Sequence, residues 1–246
     1  MCTVSAGLSP DGAALRLVIN RDERRLRMAA RPPALFERDG VRAIWPVDQQ
    51  SGGTWAAVTS HGLAFALLNA SGQPAPIDST AEPLTRGAII PYLVAGEDID
   101  DVERRFVSGP ARWPCRPFKL VVAARDRVVL LTPGGACELT APAVLSTSSL
   151  GDQLVDTPRR LLFEHLLETS DHAWQAQDRL HRHAWPDRRH LSVLMSRADA
   201  CTVSRTEILL TRERSELRYA AISDGWPIGI AAPAMTLDRR RAAAAA

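Results

Sequence analysis

The chain has 246 residues, 46% of them hydrophobic and 24% charged, which gives length for one well-buried core and excludes a disordered or fibrous class. Its 30 basic residues, all arginine except Lys119, are interspersed with 28 acidic ones, so the net charge is only +2 and no nucleic-acid surface is expected. No apolar run reaches the ~18 residues of a membrane span and no leader pattern opens the chain, so the expectation is a cytoplasmic protein without integral membrane association.

Residues 2–8 and 13–19 are strand-like runs joined by Ser9-Pro10-Asp11-Gly12, which predicts a hairpin. A second hairpin is predicted from 54–59 and 63–68, with Gly52-Gly53 as the turn before it and arms apolar enough to be buried on both faces. The spacing turns helical over 85–94 and 98–107, with Thr85 and Asp98 as N-caps. Strands follow at 118–124, 127–131, 136–139 and 144–146. Thr157 as N-cap with Pro158 at the first helical position predicts a helix whose apolar face is Leu161, Leu162, Phe163, Leu166 and Leu167, and helices continue to about 194. Strands return at 202–210 and 217–222. Residues 1–238 read as a single domain, and 239–246, three arginines and five alanines, as a frayed tail.

This order, with no alternating βαβ units, predicts an α+β fold of two stacked antiparallel sheets flanked by helices. Cys2, Cys115, Cys137 and Cys201 lack Cys-x-x-Cys spacing, so neither a zinc knuckle nor a disulfide framework is expected. His165, His172, His181, His183 and His190 crowd 26 positions without a ligand spacing and read as solvated helix surface, so no metal is expected. The six tryptophans read as core.

Cys2 is the residue with chemistry in it. Removal of Met1 places a thiol and a free α-amine on one residue, and an amine titrating near pH ~8 can take the proton of a thiol near ~8.5 with no separate histidine. Asn20-Arg21-Asp22-Glu23 follows the first hairpin, where polar side chains can turn back toward Cys2.

Met1-Cys2, Asn20-Arg21-Asp22-Glu23, Gly52-Gly53-Thr54-Trp55, His61-Gly62 leading to Asn69, Arg86-Gly87, and Leu145-Ser146 followed by Asp156-Thr157-Pro158 together resemble the NRDE family, the transport-and-Golgi-organisation-protein-2-like group. That family is similar to the N-terminal-nucleophile acylases. The resemblance implies a four-layer αββα sandwich, with Cys2 as nucleophile, Asp22 positioning the α-amine, and Asn20 and Arg21 beside them. It implies Asn69 as an amide donor to the oxyanion, a contribution worth ~3–4 kcal/mol where donors are preorganised.

Departures from the pattern are specific. Ile19 stands where the acylases carry arginine, and Arg21 follows on the same strand face. Thr147 stands where relatives have a second asparagine. Cys201-Thr202-Val203 replaces Gly-Thr-Arg, with Arg205 displaced by two positions. The resemblance therefore implies a cysteine hydrolase or acyltransferase acting on a small amide or thioester and needing no cofactor. The alternative is a non-enzymatic carrier of haem or acyl-coenzyme A in lipid metabolism, and a purely partner-binding protein is a third reading.

Overall fold

Alternation of side chains along two central strands sorts the chain into layers. In the computed structural model, which describes residues 2–71, 85–109, 115–223, 226–227 and 233–239, β1 (Cys2–Leu8) turns through Ser9-Pro10-Asp11-Gly12 into β2 (Leu15–Arg24). The Asp11 carboxylate accepts from Ser9 Oγ and the Ala13 N–H, and Gly12 takes φ 69°, a conformation glycine adopts without strain. Val4, Ala6, Leu17 and Ile19 then face one way, into a core between two sheets, while Thr3, Ser5, Asn20 and Asp22 face a layer of helices.

Among the described residues the first sheet runs β10 (Ala143–Thr147), β1, β2, β11 (Ala200–Leu210), β12 (Arg214–Ser223), with β13 (Trp226–Pro227) and β14 (Met235–Asp238) both on β12. The second runs in chain order through β3 (Arg31–Arg38), β4 (Val41–Val47), β5 (Ala56–Thr59), β6 (Ala64–Asn69), β7 (Phe118–Ala123), β8 (Val128–Thr132) and β9 (Gly135–Glu138). All pairings are antiparallel. Val58, Ala66, Leu68 and Val121 of the second sheet meet Val4, Leu17 and Ile19 of the first.

Helices close both outer faces. α1 (Ile89–Leu93) and α2 (Ile99–Ser108) bury Ile90, Leu93, Val102 and Phe106 against Ala43, Phe65 and Val122. Asp98 caps α2 by accepting the Asp101 N–H at 2.7 Å. α3 (Asp152–Glu168) and α4 (Ala173–His181) cover the first sheet. The result is the expected four-layer αββα sandwich.

The third interface differs from the other two. Its apolar cluster of Phe163, Leu166, Ala176, Leu180 and Val193 is small, and buried beside it are Thr3, Ser5, Asn20, Asp22, Arg159, Gln177 and His181. A polar interface of this kind holds only if its groups satisfy one another, which makes it specify geometry more sharply than apolar packing does.

Four details depart from the sequence reading. β3 and β4 were not predicted: Pro32-Pro33 and Pro46 mask them, and β3 is an exposed edge strand, where proline is tolerated. Asn20-Arg21-Asp22-Glu23 lies inside β2, and its first three residues are buried. α3 begins at Asp152, not Thr157. The Asp152 carboxylate accepts the Ser148 and Ser71 N–H groups and pairs with Lys119, anchoring the helix start and leaving Pro158 within it. His181 is not solvated but 1% exposed, as described below. The predicted tail falls outside the described residues beyond 239, and so do Trp113 and the Trp226 side chain.

Candidate active site

The open end of β1 meets a cleft of about 1120 Å3. Cys2 lines it, paired in register with Arg21 on one side and Thr147 on the other. The residue is 4% exposed, and its backbone N–H donates to Thr147 Oγ1 at 3.3 Å. Thr147, which stands where relatives have a second asparagine, therefore contacts the nitrogen that becomes the α-amine when Met1 is removed. Burial pushes the Cys2 thiol up from its ordinary value, the Asp22 charge adds to this, and Arg21 opposes it.

Arg21 shares the Cys2 side of the sheet and is fully engaged. Its guanidinium lies 4.4 Å from the Trp55 ring centroid and pairs with Asp48 at 2.5 Å and Glu23 at 3.3 Å. Asp48 in turn takes Arg27 and the Gln50 and Ser51 N–H groups. Burial alone would raise the Asp48 carboxyl, but Arg27, Ser51 and Arg21 outweigh it and hold it below the usual carboxylate range.

Asp22 is 2% exposed and accepts the Thr202 hydroxyl at 2.6 Å, while Thr202 Oγ1 accepts the Met195 N–H at 2.9 Å. A bulge at Val203 makes this contact. Thr202 pairs with Asp22 and Ser204 with Arg21, so one residue is skipped and the strand faces exchange. Burial raises the Asp22 carboxyl, opposed mainly by the charge of Arg159. Arg159 is 1% exposed and spent on the Leu191 and Ser192 carbonyls and on Thr3 Oγ1, which it reaches at 2.7 Å.

Asn69 ends β6 on the second sheet and lines the same cleft; among the described residues its side-chain amide has no hydrogen-bond partner. Cys2, Arg21, Asp22 and Asn69 are thus brought to one cleft. Asn20 and Arg205 stand apart. Asn20 donates to the His181 and Val193 carbonyls on the helix side, and Arg205, opposite it in register, pairs with Glu207 at 3.1 Å.

Sequence reasoning gave no site role to several residues at or behind this cleft. Cys115 and Arg86 line it, and Thr202 and Arg159 support Asp22. His181 joins Ser5 Oγ at 2.8 Å and Asn20 Oδ1 at 3.1 Å through its two ring nitrogens, and Gln177 donates to the same serine. Burial and the charges of Arg205, Arg16 and Arg159 keep this imidazole neutral, well below its ordinary titration range. Among the described residues no cluster of His, Cys, Asp or Glu could hold a metal ion, and no helix is long and apolar enough to cross a membrane.

The family model described as Transport and Golgi organisation 2 matches residues 1–207. Solved structures share the fold at low identity. A variant of conjugated bile acid hydrolase from Clostridium perfringens aligns with TM-score 0.53 and 10% identity over 97% of each chain. An N-acylethanolamine-hydrolyzing acid amidase orthologue from Caenorhabditis elegans aligns with TM-score 0.52 and 16% identity over 85% of this chain and 92% of that one. No curated protein matches the chain by sequence.

Proposed function

This chain belongs to the Transport and Golgi organisation 2 family, and on that premise we propose that it is an N-terminal-cysteine hydrolase or acyltransferase acting on a small amide or thioester. The observation that carries the reading is the placement of Cys2 at the cleft, with its backbone nitrogen on Thr147 and the buried Asp22 pairing with Thr202 close behind. With Met1 removed, the α-amine takes the thiol proton and the thiolate attacks the substrate carbonyl. The oxyanion that forms faces the Asn69 amide. The carbon–nitrogen bond breaks, the α-ammonium returns its proton to the leaving amine, and a thioester remains on Cys2. Water, or an acceptor amine, then adds to the thioester and regenerates the thiol. Asp22 holds the ammonium during both proton transfers, and Thr202 holds Asp22.

The test is covalent labelling of the processed protein with an acyl-directed electrophile, followed by peptide mapping. The expected adduct lies on Cys2 and is absent in Cys2→Ala; an adduct of equal extent in that variant sinks the proposal.

A second reading, transport of haem or acyl-coenzyme A, draws on the size of the cleft, which at about 1120 Å3 exceeds the ~300–1,000 Å3 of ordinary small-molecule sites. Among its described lining residues the thiols of Cys2 and Cys115 are the soft donors that would meet an iron. Titration of wild type and Cys2→Ala with haemin and with an acyl-coenzyme A separates the two: saturable binding without turnover supports transport.

A further inference from the structure

Six arginines line the cleft, and they are not equivalent. Arg21 and Arg27 are committed to Asp48 and Glu23, and Arg197 to Asp199. Arg24 and Arg116 are exposed. Arg86 is half-buried, and the one hydrogen bond of its side chain among the described residues is Nη1 to the Pro117 carbonyl at 3.1 Å. No described carboxylate lies within ion-pair distance of it. Burial and the neighbouring Arg116 charge lower its pKa, and Cys115, Cys2 and Glu23 act in the opposite sense.

The backbone around Arg86 is built to keep it there. Gly87 packs against Gly53 so closely that a Cβ on Gly53 would lie 2.5 Å from the Gly87 Cα, and the Thr54 N–H donates to the Gly87 carbonyl. Thr85 Oγ1 accepts the Gly87 N–H. A guanidinium carries five N–H donors in a planar fork and stays charged even where burial lowers its pKa, so among the described residues four donors and the positive charge are left without a protein partner. Leaving such a charge half-buried without a counter-charge is costly unless a ligand supplies one.

We infer that Arg86 is the receptor for an anionic group on the substrate, so that the acyl compound presented to Cys2 carries a carboxylate or a phosphate. The fork geometry suits bidentate contact with either group. This inference rests on the reading of Cys2 as nucleophile, and the experiment keeps the two separable.

Processed protein is alkylated with neutral iodoacetamide and with anionic iodoacetate, and the rate of Cys2 modification is followed by peptide mass. The expected ratio of iodoacetate to iodoacetamide rates is at least about tenfold higher in wild type than in Arg86→Gln. Equal ratios in the two proteins overturn the inference. Failure of iodoacetamide to modify wild-type Cys2 overturns the nucleophile reading and the inference with it. Acetate and inorganic phosphate, added as protectants against iodoacetamide, tell the two anions apart: the matching one slows wild type and leaves Arg86→Gln unaffected, and protection by neither overturns the inference. Arg86→Lys keeps the charge without the fork and supplies the readout if the glutamine variant does not fold. It is expected to hold the alkylation ratio but lose most of the protection, and undiminished protection overturns the inference.

Discussion

Thr202 donates its hydroxyl to the Asp22 carboxylate at 2.6 Å, across a bulge that places Val203 opposite no residue of β2. Thr202→Val keeps the shape and removes the donor, leaving a buried carboxylate short of a partner. A loss of about 1–3 kcal/mol in unfolding free energy is expected, while Thr202→Ser stays near wild type. Urea unfolding of the three proteins checks this; equal midpoints for wild type and the valine variant contradict it.

Arg21 bears on Cys2 reactivity through charge. It is the side chain that lowers a thiol otherwise raised by burial. In Arg21→Met the Cys2 alkylation profile should move to higher pH, with slower reaction at pH 7. Because Asp48 keeps both contacts to Arg27, the protein should remain folded. A profile that does not move confines Arg21 to its contacts with Trp55, Asp48 and Glu23.

His181 predicts the acid limit of stability. Its folded pKa is depressed, so below the ordinary histidine value of ~6.5 the unfolded chain binds the extra proton. The stabilisation it gives is therefore present above ~6.5 and is lost as pH falls from there toward the folded value. The groups that disfavour its protonation are Arg205, Arg16 and Arg159. Wild type should lose more stability between pH 7.5 and pH 5 than His181→Gln does, as measured by urea midpoints; parallel losses contradict this.

Gly53→Ala tests the joint between the Gly-Gly-Thr-Trp segment and Arg86-Gly87. The added Cβ meets backbone, which cannot rotate away, so a cost of about 2–4 kcal/mol is expected. Thermal unfolding measures it. A stability within about 0.5 kcal/mol of wild type shows the joint to be looser than the geometry states.

The layers were legible in the sequence where apolar runs and turn residues agree, as in β1–β2 and β5–β6. β3 was illegible because Pro32-Pro33 and its exposed arginines carry neither alternation nor burial. The residues behind the site do carry a signal in the sequence. Arg159 falls in helical step with Val155, Phe163 and Leu166, the buried face of α3. Gln177 and His181 share the face of Ala176 and Leu180 on α4. Polar residues at core positions of an amphipathic helix mark a polar interface, and here they lead to Asn20 and, through Thr3 and Arg159, to Asp22. The bulge at Val203 leaves no such mark in the sequence, and it is what brings Thr202 rather than Arg205 to Asp22. Arg86-Gly87 stands in the sequence as a motif, but that no described carboxylate pairs with Arg86 is a fact of tertiary structure.

The chemistry proposed for Cys2 requires its α-amine to be free in the working protein, and the mass of the intact protein isolated from its native cells tests this most directly. The expected mass is that of a chain shorter by Met1, beginning at Cys2. A protein that retains Met1 in full has no free amine beside its thiol and contradicts the proposed chemistry.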